Sequence, residues 1–190
     1  GALRAQAGHP EPLPLKYVEI GNENWGAEYE RRYDMFHEAI RAKYPDLILI
    51  CNNRIGGPGS IKETDMIDPH WYVNPDYFFD NTHLFDNIER SNYTAYVGEY
   101  AANSGVGSGN MRAALSEAAF IGGMERNGDF VKMCSNAPLL ENSNDRVWPV
   151  NLIWVNSSQV LGRSSYYVQK MAADNRPDYN VAVSAYESAQ

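Results

Sequence analysis

The feature that most constrains the fold is a repeated alternation of short apolar runs with longer segments of helical periodicity. Leu47-Ile48-Leu49-Ile50-Cys51 is a continuous apolar run of strand length, the pattern of a parallel strand covered on both faces. Before it, Tyr29, Tyr33, Phe36, Ile40 and Tyr44 recur at steps of three and four and Pro45 follows, which predicts an amphipathic helix. Strands are expected near residues 17, 48, 67, 96 and 131, with a short extra one at Ile153-Trp154-Val155. Met66 to Tyr72 is read as one strand end. Asn74 should cap a helix with Pro75 at its first position, running through Tyr77, Phe78 and Leu84. Asn110 to Asn127 should carry Met111, Ala114, Leu115, Ala118 and Ile121 on its packed face, and Ser164/Ser165 should cap a last helix ending at Asn175. Ala2 to Gly8 reads as a helix end closed by glycine, and Gly56-Gly57-Pro58-Gly59-Ser60 as a loop. The fold class is α/β with a parallel sheet.

Two strand ends carry the chemistry. Lys16-Tyr17-Val18-Glu19-Ile20 is a strand that Gly21 breaks, and Asn22-Glu23-Asn24-Trp25-Gly26 follows. A carboxylate flanked by two amides and an indole can hydrogen-bond hydroxyls and stack on a sugar face. That set suits a carbohydrate better than a phosphate or a metal, although taken alone it also fits a polar strand-to-helix loop. Thr94-Ala95-Tyr96-Val97-Gly98-Glu99-Tyr100-Ala101 is a second strand ending in a carboxylate. Glycoside hydrolysis uses two carboxyl groups, one on each side of the scissile bond, so Glu23 and Glu99 form the candidate catalytic pair. A strand-plus-helix unit of an eight-stranded barrel takes about 25–30 residues, which puts three units between them.

These stretches, together with Gly8-His9-Pro10-Glu11-Pro12 and Asn142-Ser143-Asn144-Asp145-Arg146-Val147-Trp148, resemble the family 51 α-L-arabinofuranosidases. That family belongs to the clan of retaining glycosidases with the acid/base on strand four and the nucleophile on strand seven. The resemblance implies a (β/α)8 TIM barrel, of which this chain would hold strands four to eight. Residues 1–178 would be the C-terminal part of the catalytic domain, and 179–190 the start of a linker to a β-sandwich. The first three strands and a first-strand glutamate would then be missing. Such a fragment would be inactive alone, and its open edges would either aggregate or pair with another polypeptide, a second copy included.

The resemblance further implies that Glu99 is the nucleophile, that Glu23 is the acid/base, and that Asn22 bonds the sugar's 2-hydroxyl. Tyr72, two residues after His70 on one strand face, matches a tyrosine that bonds the nucleophile; His70 itself fits a structural role equally well. Trp25 and Trp148 either border the sugar or plug the barrel top, and Asn151 roughly matches a substrate-binding amide. Many members carry a Trp shortly after the nucleophile, where this chain has Ala101-Ala102-Asn103-Ser104. The shape of the subsite beyond the arabinose therefore does not carry over.

Composition narrows the partners. With 190 residues and 44% apolar content the chain can build a sizeable core. Sixteen basic against 24 acidic residues, a net −8, argue against a nucleic-acid surface and fit a neutral substrate. No apolar run approaches the ~20 residues of a membrane span. Cys51 and Cys134 fall in apolar runs and are expected as small buried hydrophobes. His9, His37, His70 and His83 lack paired ligand spacing, so no zinc site is expected, and the resemblance implies a metal-independent hydrolase without a cofactor. The expected ligand is an arabinan or arabinoxylan type of poly- or oligosaccharide, the expected reaction removal of terminal α-L-arabinofuranosyl groups. An endo-glucanase or xylosidase of the same clan, or an inactive carbohydrate-binding fragment, are the alternatives.

Overall fold

The computed structural model describes residues 1–53, 55, 59–106, 109–146, 148 and 151–183. The Gly56-Gly57-Pro58 part of the expected loop, Val147 and the end of the expected linker (184–190) lie outside the described residues. Two compact units divide at Asp68/Pro69. Each is a mixed α/β unit built on parallel strands.

The first unit contains α1 (Ala2–Gln6), β1 (Tyr17–Ile20), α2 (Ala27–Lys43), β2 (Ile48–Cys51) and β3 (Met66–Ile67). β1 runs parallel to β2, with Tyr17 opposite Ile48 and Ile20 opposite Cys51; β3 is parallel on the other side of β2. Leu49, Ile50 and Cys51 are buried in succession, as a strand covered on both faces requires. Glu28 and Glu30 sit in the first turn of α2 and Arg41 and Lys43 in its last, each complementing the helix dipole. Arg41 ties this helix end to the sheet: it donates to the carbonyls of Pro45 and Leu47 and to Asp65 Oδ2, and Asp65 in turn accepts from Leu49 N at 2.7 Å. The packed stripe of α2 differs from the expected one. Tyr33 and His37 are its buried residues, whereas Phe36 and Tyr44 are exposed. At about 100° per residue, position 36 is carried away from a stripe centred between 33 and 37.

The second unit contains β4 (His70–Val73), α3 (Pro75–Asp80), β5 (Thr94–Ala102), α4 (Met111–Arg126), β6 (Val131–Asn136), β7 (Leu140–Asn142), β8 (Ile153–Val155), β9 (Val160–Gly162) and α5 (Ser164–Asp174). β5 lies between β4 and β6, parallel to both. The face of β4 and β5 that carries Trp71 and Tyr100 joins Phe78, Phe85 and Phe120 in an aromatic core, with ring centroids 4.8–6.2 Å apart. α4 approaches the turn after α3 so closely that a Cβ on Gly123 would stand 2.3 Å from the Thr82 carbonyl oxygen. Only glycine fits there.

Several expectations are corrected here. Met66 to Tyr72 is not one strand: Asp68-Pro69 separates β3 from β4, because proline supplies no N–H to a ladder. α3 has the expected Asn74 cap, whose side chain accepts from Tyr77 N, but ends at Asp80, short of Leu84. α4, capped by the Asn110 side chain, which accepts from Ala113 N, buries Ala114 and Ile121 as expected, and with them Ala113, Glu117, Phe120 and Met124, while Met111 and Leu115 are exposed. The N-cap of α5 is Arg163, with Ser164 its first helical residue. β7 and β9 flank the expected β8, β7 parallel to it and β9 antiparallel. Cys51 is buried, but Cys134 is exposed.

Candidate functional site

In the first unit, β1 delivers its end into a loop fixed by backbone hydrogen bonds. Gly21 has φ +100, and a Cβ there would stand 2.8 Å from both Asn24 Oδ1 and the Tyr29 ring, so the strand breaks where only glycine fits. Asn24 Oδ1 accepts from Asn22 N at 3.0 Å, and Asn24 N donates to Asn52 Oδ1 at 2.9 Å. Between these two anchors Glu23 adopts φ +49, a left-handed conformation costing a non-glycine residue about 1–2 kcal/mol. The loop's hydrogen bonds hold it there. Tyr29 completes the frame: its hydroxyl donates to the Ile20 carbonyl and accepts from Asn52 N, both at 2.8 Å. Burial pushes the Tyr29 phenol above its ordinary range, which keeps that donor protonated. Asn22, Glu23 and Trp25 are all exposed on this loop.

In the second unit, β4 and β5 bring three of the expected site residues together. The register sets His70 opposite Glu99 and Tyr72 opposite Ala101, so His70, Tyr72 and Glu99 share one sheet face. The Tyr72 hydroxyl donates to Glu99 Oε2 at 2.5 Å. His70 Nδ1 lies 3.7 Å from the same oxygen, its side chain only 6% exposed against 29% for Glu99. Trp148 packs on Tyr72 with ring centroids 4.8 Å apart and remains 44% exposed, so part of the indole is open to a ligand. Asn151 is buried. A carboxylate held by a phenol donor at a strand end, beside an imidazole and a half-open indole, can act as a nucleophile or base toward a polyol.

Two residues that position these loops were not singled out by motif. Asn52, one residue beyond β2, is 1% exposed and links Asn24 to the Asp68 carbonyl, to which its Nδ2 donates. An amide immediately after an apolar strand, much as Asn22 follows β1 after Gly21, was the available signal. Glu117 on α4 accepts from Ala102 N, at the end of β5. No sequence pattern marks it, since a helical glutamate is ordinarily solvated.

Residues 1–90 match the family described as the alpha-L-arabinofuranosidase 1 domain, and residues 93–189 the alpha-L-arabinofuranosidase C-terminal domain. The chain is 44% identical over 171 residues to a protein of Arabidopsis thaliana named alpha-L-arabinofuranosidase 2, which covers 89% of this chain and 25% of that one. To alpha-L-arabinofuranosidase A of Aspergillus kawachii it is 41% identical over 186 residues, with coverages of 94% and 29%. It also superimposes with a TM-score of 0.85, at 33% identity, on a solved structure described as the arabinose-bound MgGH51 α-L-arabinofuranosidase; that match covers 93% of this chain and 31% of the other. The chain thus spans between a quarter and a third of the length of these relatives.

Proposed function

The chain belongs to the alpha-L-arabinofuranosidase family, and from that premise we propose that its strand ends supply the catalytic residues of a retaining hydrolase that removes terminal α-L-arabinofuranosyl groups from arabinan or arabinoxylan chains. The single observation that carries this reading is the Tyr72 hydroxyl donating to Glu99 Oε2, with His70 on the same face. Because the chain spans only part of its relatives, turnover is proposed for the whole gene product. A (β/α)8 barrel, with residues 1–178 inside it and the strands numbered four to eight, belongs to the same proposal.

In this mechanism Glu99 attacks the anomeric carbon while Glu23 gives its proton to the leaving oxygen. Glu23 then takes a proton from water, which displaces Glu99 from the sugar with a second inversion. Tyr72 keeps the Glu99 carboxylate aimed through its hydrogen bond, and His70 limits the carboxylate's swing from the other side. Asn22 meets the 2-hydroxyl. Trp25 and Trp148 border the ring, and Asn151 contributes an amide.

Proton NMR of the first-formed sugar tests the stereochemistry, and Glu99→Ala tests the nucleophile. The expected results are retained configuration and loss of nearly all turnover on an aryl arabinofuranoside. An inverted product would defeat the role of Glu99. Faster hydrolysis of the matching aryl xyloside would move the reading to a xylosidase.

A further inference from the structure

Among the described residues of the second unit Glu117 is the most deeply buried carboxyl, 1% exposed at the middle of α4. Such a group persists in a core only where neighbours satisfy it. Its Oε1 accepts from Ala102 N at 2.9 Å. Ala102 is the last residue of β5, three positions past Glu99.

The register explains why that amide needs a side-chain acceptor. Along β5 the backbone groups face β4 and β6 alternately. Asn103 N donates to the Val73 carbonyl on the β4 side, and Tyr100 O accepts from Ala137 N on the β6 side. Ala102 N therefore faces β6. But β6 ends at Asn136, opposite Tyr100, and offers no carbonyl two residues further on. The Glu117 carboxyl takes the place of the missing strand.

Around it stands a group of polar side chains from three elements, Tyr100 and Ser165 buried and Asn136 and Gln169 half-buried. Tyr100 hydroxyl donates to Gln169 Oε1 at 2.8 Å, pinning β5 to α5 one residue beyond Glu99. Ser165, one turn before Gln169 on α5, and Asn136, at the end of β6, face the Glu117 carboxyl and favour its charged form, whereas burial, the larger influence, disfavours it. Glu117 Oε2, Ser165 Oγ and Asn136 Nδ2 are buried, yet none has a hydrogen bond of normal geometry among the described residues. The one well-formed bond of the carboxyl is the bond to Ala102 N.

We propose that Glu117 is a positioning residue for the proposed reaction: by accepting from Ala102 N it holds the open end of β5 in register, and with it the carboxylate of Glu99 against Tyr72. This rests on the reading of Glu99 as nucleophile. Glu117 does not touch substrate. It acts through the backbone, and because a misplacement of about 1 Å can cost a hundredfold in rate, a loosened strand end is enough to slow chemistry. Substrate contacts lie elsewhere, so binding is largely spared.

The test uses the whole gene product with Glu117→Met, which fills the space without an acceptor, and Glu117→Gln, which keeps a side-chain oxygen for Ala102 N. Two quantities are read: kcat and KM on an aryl arabinofuranoside, and amide hydrogen exchange of the peptide containing Ala102. Glu117→Met is expected to lower kcat by about tenfold or more with KM within about twofold, and to speed exchange at that peptide, while thermal unfolding still reports a folded protein. Glu117→Gln should restore the exchange protection and bring kcat to within about threefold of wild type. Unchanged exchange and kcat in Glu117→Met would overturn the proposal. So would a Gln variant as impaired as Met, because charge and not acceptance would then be the requirement. Should the Met variant not fold, exchange in Glu117→Gln decides: protection supports the clamp, and its loss refutes it. A wild-type protein without turnover on the aryl arabinofuranoside would sink the proposed function, and the exchange measurement would still judge the clamp.

Discussion

Replacing Tyr72 by Phe removes one oxygen and leaves the ring, so its contact with Trp148 at a centroid distance of 4.8 Å remains. What disappears is the donor 2.5 Å from Glu99 Oε2. A hydrogen bond to a charged acceptor contributes about 1.5–3 kcal/mol. The Glu99 side chain is 29% exposed, so water can partly replace the phenol, and the lower end, ~1.5 kcal/mol, is the appropriate figure. The two half-reactions feel this loss in opposite senses. When Glu99 attacks, its charge is consumed and the bond from Tyr72 weakens; when Glu99 departs from the sugar, charge returns and the bond strengthens toward the transition state. Only an interaction stronger in the transition state than in the state before it lowers that barrier. Tyr72→Phe should therefore slow the second step by up to about tenfold. The first step, whose starting state the bond stabilises more than its transition state, should be unchanged or faster. On an aryl arabinofuranoside with a good leaving group, stopped-flow release of the phenol should show a burst followed by a steady state up to about tenfold slower than wild type. A variant with kcat within twofold of wild type and no added burst, or one whose kcat/KM falls further than its kcat, would refute the reasoning.

Glu23→Ala should hydrolyse activated substrates slowly and recover with azide, which attacks the glycosyl intermediate without a general base; absence of rescue, with an arabinosyl azide missing by NMR, would count against Glu23 as acid/base. Gly21→Ala places a methyl 2.8 Å from Asn24 Oδ1 and Tyr29 at φ +100, so a loss of about 1–3 kcal/mol is expected in denaturant unfolding, and an unchanged midpoint would contradict the described loop. For Glu117, burial raises the carboxyl above its ordinary 4.5, so as pH rises the unfolded chain loses this proton first and the folded chain binds more. Its stability contribution is then full below 4.5 and falls as pH climbs through the raised value, at no more than about 1.4 kcal/mol per pH unit. Glu117→Gln should remove that slope, and urea midpoints of variant and wild type should diverge in the variant's favour between acidic and neutral pH; parallel curves would show that the carboxyl is not perturbed.

What the sequence determined by itself was everything governed by a short period or a local exchange of hydrogen bonds. The apolar run at Leu49 to Cys51, the cap Asn74, the helix from Asn110 to Asn127, the break at Gly21 and the sharing of one face by His70 and Tyr72 follow from two- and 3.6-residue periodicity and from end groups that a neighbour two or three residues away can satisfy. The tertiary structure decided whatever depends on a partner far along the chain. The packed stripes of α2 and α4 were legible only in part: Tyr33, Ala114 and Ile121 are buried as expected, but Phe36, Met111 and Leu115 are apolar enough to be core, and Glu117 too polar to be expected there; burial of each depends on what faces it. The three-residue strands β7 and β9 are too short for a period and form only against β8. Asn52 offered only its place as an amide just after an apolar strand, and Glu117 became legible only when the end of β5 was seen to lack an acceptor on β6, since a hydrogen bond across 28 or 15 residues leaves no trace of its partner in local pattern.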